Sequence, residues 1–248
     1  MTKKPYPFFQ DVDTNRTFVD DLFSNDEEKC FQAVIQLKST LIGSNKAKNR
    51  VIEAGVVPRL LNLLAEPTLT HPDLKVAVAF ALGSIAKGSD KHLKVLLDCE
   101  IVSVLLNCIV SSRDQRFVEA CLCCLRTLFC HRDAPVDVLY SDPALISHLL
   151  NLMPLSTSNQ ISVASILMHA CKSHDHQTSL TSQGAVQVHL GAPLYQIRAK
   201  NLQPILLFFA GPTFATFKST ARCPVASVAM PSLFGLCQQG CIGSCIEF

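Results

Sequence analysis

Hydrophobic positions along the first 190 residues recur three and four apart, the spacing of one helix face, and nowhere alternate long enough to suggest a strand. The pattern also repeats on a longer scale. LKSTLIGSN from Leu37, LGSIAKGSD from Leu82, LRTLFCHRD from Leu125 and LMHACKSHD from Leu167 align with steps of 45, 43 and 42 residues. Each closes on Asn45, Asp90, Asp133 or Asp175, short polar side chains expected to cap the helix that follows by accepting from its free backbone N–H groups. A second apolar block, GVVPRLLNLL from Gly55, EIVSVLLNCI from Glu100 and ALISHLLNLM from Ala144, superposes its Leu-Leu-Asn triplets. The unit therefore predicts a short helix (45–54, 90–98, 134–141), a second (56–65, 101–110, 143–153) and a longer third (73–88, 114–131, 158–173), led by a third helix over 26–43. On the third helices Val76, Ala79, Leu82, Gly83 and Ala86, and likewise Ala120, Cys124 and Leu128, form the buried stripe.

A unit of this length cannot bury its own apolar faces, so successive units must stack. The pattern resembles the armadillo repeat, most closely at Gly55-Val56-Val57-Pro58 and Ala79-Phe80-Ala81-Leu82-Gly83-Ser84-Ile85-Ala86. That resemblance implies an all-α, right-handed armadillo-type solenoid with the third helices lining its concave side. Residues 1–24 read as an extension, 25–190 as the repeats and 191–248 as a divergent, poorly ordered tail.

Armadillo proteins of the importin type hold peptides through a Trp and an Asn four residues apart on the third helix. Here the Trp position carries Ile35, Phe80, Cys123 and Ser165, the Asn position Ser39, Ser84, Thr127 and His169, and the chain has no Trp. An importin-like ladder is not expected. Ser39, Phe80, Ser84, Cys123, Thr127 and His169 are the candidate partner-binding residues on the concave face. The stretches KCFQAVIQLKSTLIGSNKAKNRVIEAGVVPRLLNLL and KVAVAFALGSIAKGSDKHLKVLLDCEIVSVLLNCI are similar to the armadillo scaffold subunits of CTLH (GID-type) ubiquitin ligases. That likeness implies a non-enzymatic scaffold in cytoplasm and nucleus, with ligase scaffold and receptor subunits as partners. Members of that family carry a longer array, so a short form lacking receptor recruitment is expected. The alternative is an adaptor gripping an extended peptide in its groove, of transport or cell-adhesion type.

Composition narrows the rest. With 48% hydrophobic and 17% charged residues and a net charge of +2, the 248-residue chain is neither a charge-driven disordered polymer nor a protein bound to nucleic acid mainly through phosphate contacts. Residues 191–248 hold only 4 Lys+Arg and 1 Asp+Glu against 10 Pro+Gly, which separates them from the repeats. Their apolar, uncharged run 201–217 is broken by Pro204, Gly211 and Pro212, so a membrane anchor is disfavoured. The N-terminus lacks the apolar stretch of a secretory leader, and the twelve Cys are expected to stay reduced.

No residue set suggests catalysis, a cofactor or a small-molecule substrate: G-x-S-x-G and H-E-x-x-H are absent, and Gly83 to Gly88 lacks the Lys-Ser/Thr of a phosphate loop. Cys121, Cys123, Cys124, Cys130 and His131 form the densest ligand-type cluster, but Cys121 and Cys124 share a helix face that Cys123 does not, so core packing is expected rather than zinc. His169, Cys171, His174 and His176 straddle a helix end, and the spacing of Cys237, Cys241 and Cys245 matches no cluster signature. Lys46, Lys48 and Arg50 read as the solvated face of a short helix.

Overall fold

The computed structural model describes residues 19–71, 73–183 and 185, and every regular element among them is helical. The chain divides into a unit Met1–Ser179, which carries the repeats, and a unit Leu180–Phe248, nearly all of it outside the described residues. A leading helix α1 (Glu27–Leu41) precedes α2 (Asn45–Glu53), α3 (Val56–Ala65) and α4 (Leu74–Ala86). The next layer is α5 (Asp90–Asp98), α6 (Ile101–Ser111) and α7 (Gln115–Phe129). After it come α8 (Asp137–Tyr140), α9 (Pro143–Leu152), a 3₁₀ turn (Met153–Leu155), α10 (Thr157–Ala170) and α11 (His174–Ser182). The expected triplets are all present.

Within the first unit α4 packs against α1 on one side and α7 on the other, and α7 in turn against α10; α3 packs on α6, and α2 on α5. Leu37, Leu82, Leu125 and Leu167 occupy equivalent buried places in these four layers, none more than 1% exposed. Because α4 has a neighbour on both sides, ten of its residues from Leu74 to Ala86 are buried, and it is apolar nearly all round. Each such Leu side chain gains about 1.5–3 kcal/mol from leaving water, so the layers stabilise one another and no layer is stable alone.

Two local features differ from the expectation. The caps fall one residue early: the Ser44 hydroxyl accepts from the Ala47 N–H at 3.1 Å, and Ser89 caps α5, which makes Asn45 and Asp90 the first helical residues. Both side chains of a Ser-Asn or Ser-Asp pair can cap, and the Ser wins because the backbone is already helical at the following residue, where Asp90 still favours the positive end of the helix dipole. Ser173, not Asp175, caps toward α11, accepting from the His176 N–H at 3.2 Å. Asp133 caps no helix, and α8 is a single turn instead of the eight residues expected, because Pro135 supplies no N–H and disfavours helical backbone at Ala134.

In the first two layers, though not at Ser141-Asp142 of the third, the chain passes from first to second helix through a left-handed residue. Gly55 takes that conformation with φ 69°, but the corresponding Glu100 is forced to φ 56°, the one non-glycine residue with positive φ among those described.

A polar seam joins the short helices of adjacent layers. His92, 2% exposed, accepts the Ser89 N–H on Nδ1 at 2.9 Å, so its proton is on Nε2 and is donated to Asn49 Oδ1 at 2.6 Å. A Cβ on Gly88 would overlap that ring, which accounts for the glycine. Lys48 stands beside it and is only 5% exposed, contrary to the solvated face expected of its run: its long apolar stem lies on the layer interface. Burial first, then Lys87, lowers the Lys48 pKa; burial first, then Lys48, lowers that of His92.

Two outcomes follow from these features. Glu100→Gly should raise the free energy of unfolding by about 0.5–1 kcal/mol, since removing left-handed strain outweighs the flexibility that Gly adds to the unfolded chain. A denaturant titration showing no gain contradicts this. Because His92 titrates below its ordinary 6.5 in the folded chain, the unfolded chain takes up the proton first. Its contribution is complete above that pH and is lost as pH falls through the folded value. Burial, with Lys172 adding to it, shifts His169 the same way. Thermal melts between about pH 7 and 5 should show declining stability, with a shallower slope in His92→Gln; an unchanged slope assigns the decline elsewhere.

Candidate protein-interaction groove

Where the third helices are not covered by their neighbours they leave a shallow groove, with a cavity volume of about 260 Å³, bounded by α1, α4 and α7. Its floor is the close approach of α4 to α7: a Cβ on Gly83 would stand 3.7 Å from the Cα of Cys124. Phe80, Ser84, Cys123 and Thr127, four of the six candidate residues, line it together. Phe80 is 43% exposed, and the similarly unprotected Ile42 at the end of α1 is 70% exposed. Ser39 is exposed on α1 and His169 half-buried on α10, and neither lines this cavity.

The hydroxyls on three successive layers share one geometry. Ser39 Oγ donates to the Ile35 carbonyl at 3.0 Å, Ser84 Oγ to that of Phe80 at 2.9 Å and Thr127 Oγ1 to that of Cys123 at 3.1 Å. Each hydroxyl uses its proton on its own helix four residues back and presents only lone pairs outward. An Asn at these positions would both donate to and accept from a peptide backbone, whereas this row can only accept. On α10 the pattern changes: His169 Nε2 stands 3.4 Å from Cys130 Sγ.

The cysteine cluster is packing material. Cys121 and Cys124 are at most 1% exposed; burial pushes both thiols up, that of Cys124 to about 12, so neither is a nucleophile near neutral pH. Cys123, half-buried, and Cys124, buried in the floor, both line the groove, and Cys121 does not. Cys130 is exposed at its sulfur-bearing end of α7, where burial raises its pKa and Arg126 and Ser165 partly offset that. His176 stacks on Tyr140 with ring centroids 3.9 Å apart and accepts the Lys172 N–H on Nδ1. Among the described residues no three His, Cys, Asp or Glu side chains converge as a metal requires, and no helix is long and apolar enough to cross a membrane. Cys237, Cys241 and Cys245, with the rest of the 191–248 tail, lie outside the described residues.

Sequence reasoning missed the cations of the groove. Lys38 and Lys87 line the same cavity as Phe80. Their signal was present: counted from the repeat leucines, the first and fifth following positions are Lys38 and Ile42, Gly83 and Lys87, Arg126 and Cys130, Met168 and Lys172. At the end of α4 these two positions lie one helical turn apart, the Lys87 N–H donating to the Gly83 carbonyl, so Lys87 falls beside the position that Lys38 and Arg126 hold in their layers, whereas Lys172 lies past the end of α10.

Stacked three-helix layers with this exposed face define an armadillo repeat protein, a class that works by binding other proteins. Within it the chain is 43% identical over 193 residues to Armadillo repeat-containing protein 8 of Mus musculus, a match covering 77% of this chain and 28% of that protein. It is therefore a relative of that protein, spanning little more than a quarter of its length. Over 120 residues, 48% of the chain, it is 32% identical to Importin subunit alpha-3 of Arabidopsis thaliana, covering 22% of the latter. A designed armadillo repeat protein solved in complex with the peptide (KR)4 superposes with a TM-score of 0.62 at 17% identity, over 88% of this chain and 97% of that one. No protein-family model matches.

Proposed function

We propose that the chain is a non-catalytic scaffold of the CTLH ubiquitin-ligase type, which holds other subunits of the ligase in cytoplasm and nucleus and so supports ubiquitin-dependent degradation. The observation that carries this reading is the 43% identity to Armadillo repeat-containing protein 8 sustained over 193 residues, which spans the layers rather than one motif. A scaffold needs shape and a few exposed anchors rather than a reactive group, and the half-exposed Phe80 beside an otherwise closed α4 fits that need. In this reading the chain makes the contacts of the repeats it contains and does not recruit the substrate receptor.

A second reading, an adaptor gripping an extended peptide with importin chemistry, draws on the 32% identity to Importin subunit alpha-3. Against it stand the missing Trp and the row of accept-only hydroxyls.

Affinity capture with mass spectrometry on the full chain and on a chain ending at residue 190 tests the assignment. Both should capture ligase scaffold subunits and neither the substrate receptor. Recovery of the receptor at the level given by full-length Armadillo repeat-containing protein 8 contradicts the second half, and absence of every ligase subunit contradicts the whole.

A further inference from the structure

Among the described residues none of Lys38, Lys87 and Arg126 is paired with a carboxylate. Lys172, just past the end of α10, donates one proton to the Arg132 carbonyl at 2.7 Å and keeps two. Of the acids following the third helices, Asp90 lies 3.7 Å from His131 and Asp133 lies 3.6 Å from Arg132. Glu27, Asp73, Asp114 and Glu119 sit at or near the opposite, N-terminal ends of the same helices, where Glu27 accepts from Thr70 and His71, Asp73 pairs with Arg116 and Glu119 accepts from Ser156. The groove therefore combines the cations Lys38 and Lys87, with half-buried Arg126 on α7 next to the lining residue Thr127, with the exposed apolar side chains of Phe80 and Ile42 and hydroxyl oxygens ready to accept a backbone N–H.

We propose that this groove binds an extended acidic peptide segment of a partner protein, its carboxylates on Lys38, Lys87 and Arg126 and one aromatic or aliphatic side chain between Phe80 and Ile42. This rests on the reading of the chain as a protein-binding scaffold and gives that partner a chemistry. Packed helices lie about 8–10 Å apart and an extended chain advances about 3.3 Å per residue, so one acidic residue in about three matches the layers. The pairing of unlike charges steers the segment into the groove, and the apolar anchor sets its register.

The test is a fluorescence-anisotropy titration of the full chain with three labelled ten-residue probes. The first has Glu at every third position and a central Phe, the second has Lys in place of Glu, and the third has Ser in place of Phe. The Glu/Phe probe should bind about tenfold tighter than the Lys probe, weaken with added salt, and lose about tenfold with Lys87→Glu, the effect of turning one attraction into a repulsion. Phe80→Ala should weaken the Phe probe and leave the Ser probe unchanged. Helicity and melting temperature of each variant confirm that these exposed substitutions leave the fold intact. Equal binding of Glu and Lys probes, no saturable binding of the Glu probe, or indifference to both Lys38→Glu and Lys87→Glu overturns the proposal. Capture of ligase subunits by the same variants is scored separately, so loss of this inference leaves the scaffold reading to stand or fall on its own result.

Discussion

Burial of each third helix between two others is the constraint on which everything else depends. With both flanks of α4 occupied, its residues can be apolar in almost every direction, and only Lys75 and, on the groove side, Phe80, Ser84 and the capping Lys87 remain outside. The same packing fixes where those last three point. A groove side chain is thus positioned by the leucine two residues away from it, as Phe80 is by Leu82, with no need of a dedicated hydrogen-bond network. In this way the packing alone defines the geometry of the candidate groove.

The groove inherits from this arrangement a chemistry unlike that of an importin. Small residues such as Gly83 bring α4 and α7 close, hydroxyls turned back onto their own helices replace amides, and Phe80 and Cys123 stand where tryptophans would, with Lys38 and Lys87 lining the same cavity. Such a surface offers oxygen lone pairs and lysine ammonium groups, and Phe80 and Ile42 are the exposed large apolar side chains that line it.

Much of the architecture was legible because its cause is periodic. The leucines at 37, 82, 125 and 167 and the Leu-Leu-Asn triplets report burial directly, and helix placement followed to within a few residues everywhere but α8. What was not legible depends on three dimensions. Whether Ser44 or Asn45 caps α2 is decided by where the backbone turns, and both residue types suit the role. Lys48 looked like its neighbours Lys46 and Arg50, but it faces the adjacent layer and His92. The groove cations escaped notice because Lys87 stands at a different repeat position from Lys38, so column-by-column alignment of the repeats separates them. The candidate residues Phe80, Ser84, Cys123 and Thr127 came from the resemblance to a family, and the structure gathers them on one face.

Native-state hydrogen exchange on the full chain carrying Leu82→Ala addresses the mutual dependence of the layers most directly. The substitution removes a fully buried side chain and should cost about 2–5 kcal/mol. If stacking holds each layer in place, amide protection will fall by a similar factor in α1, α4 and α7 together, since α4 is what the other two lean on. Protection lost from α4 alone, with α1 and α7 unchanged, would show that the layers are stable independently and contradict the account.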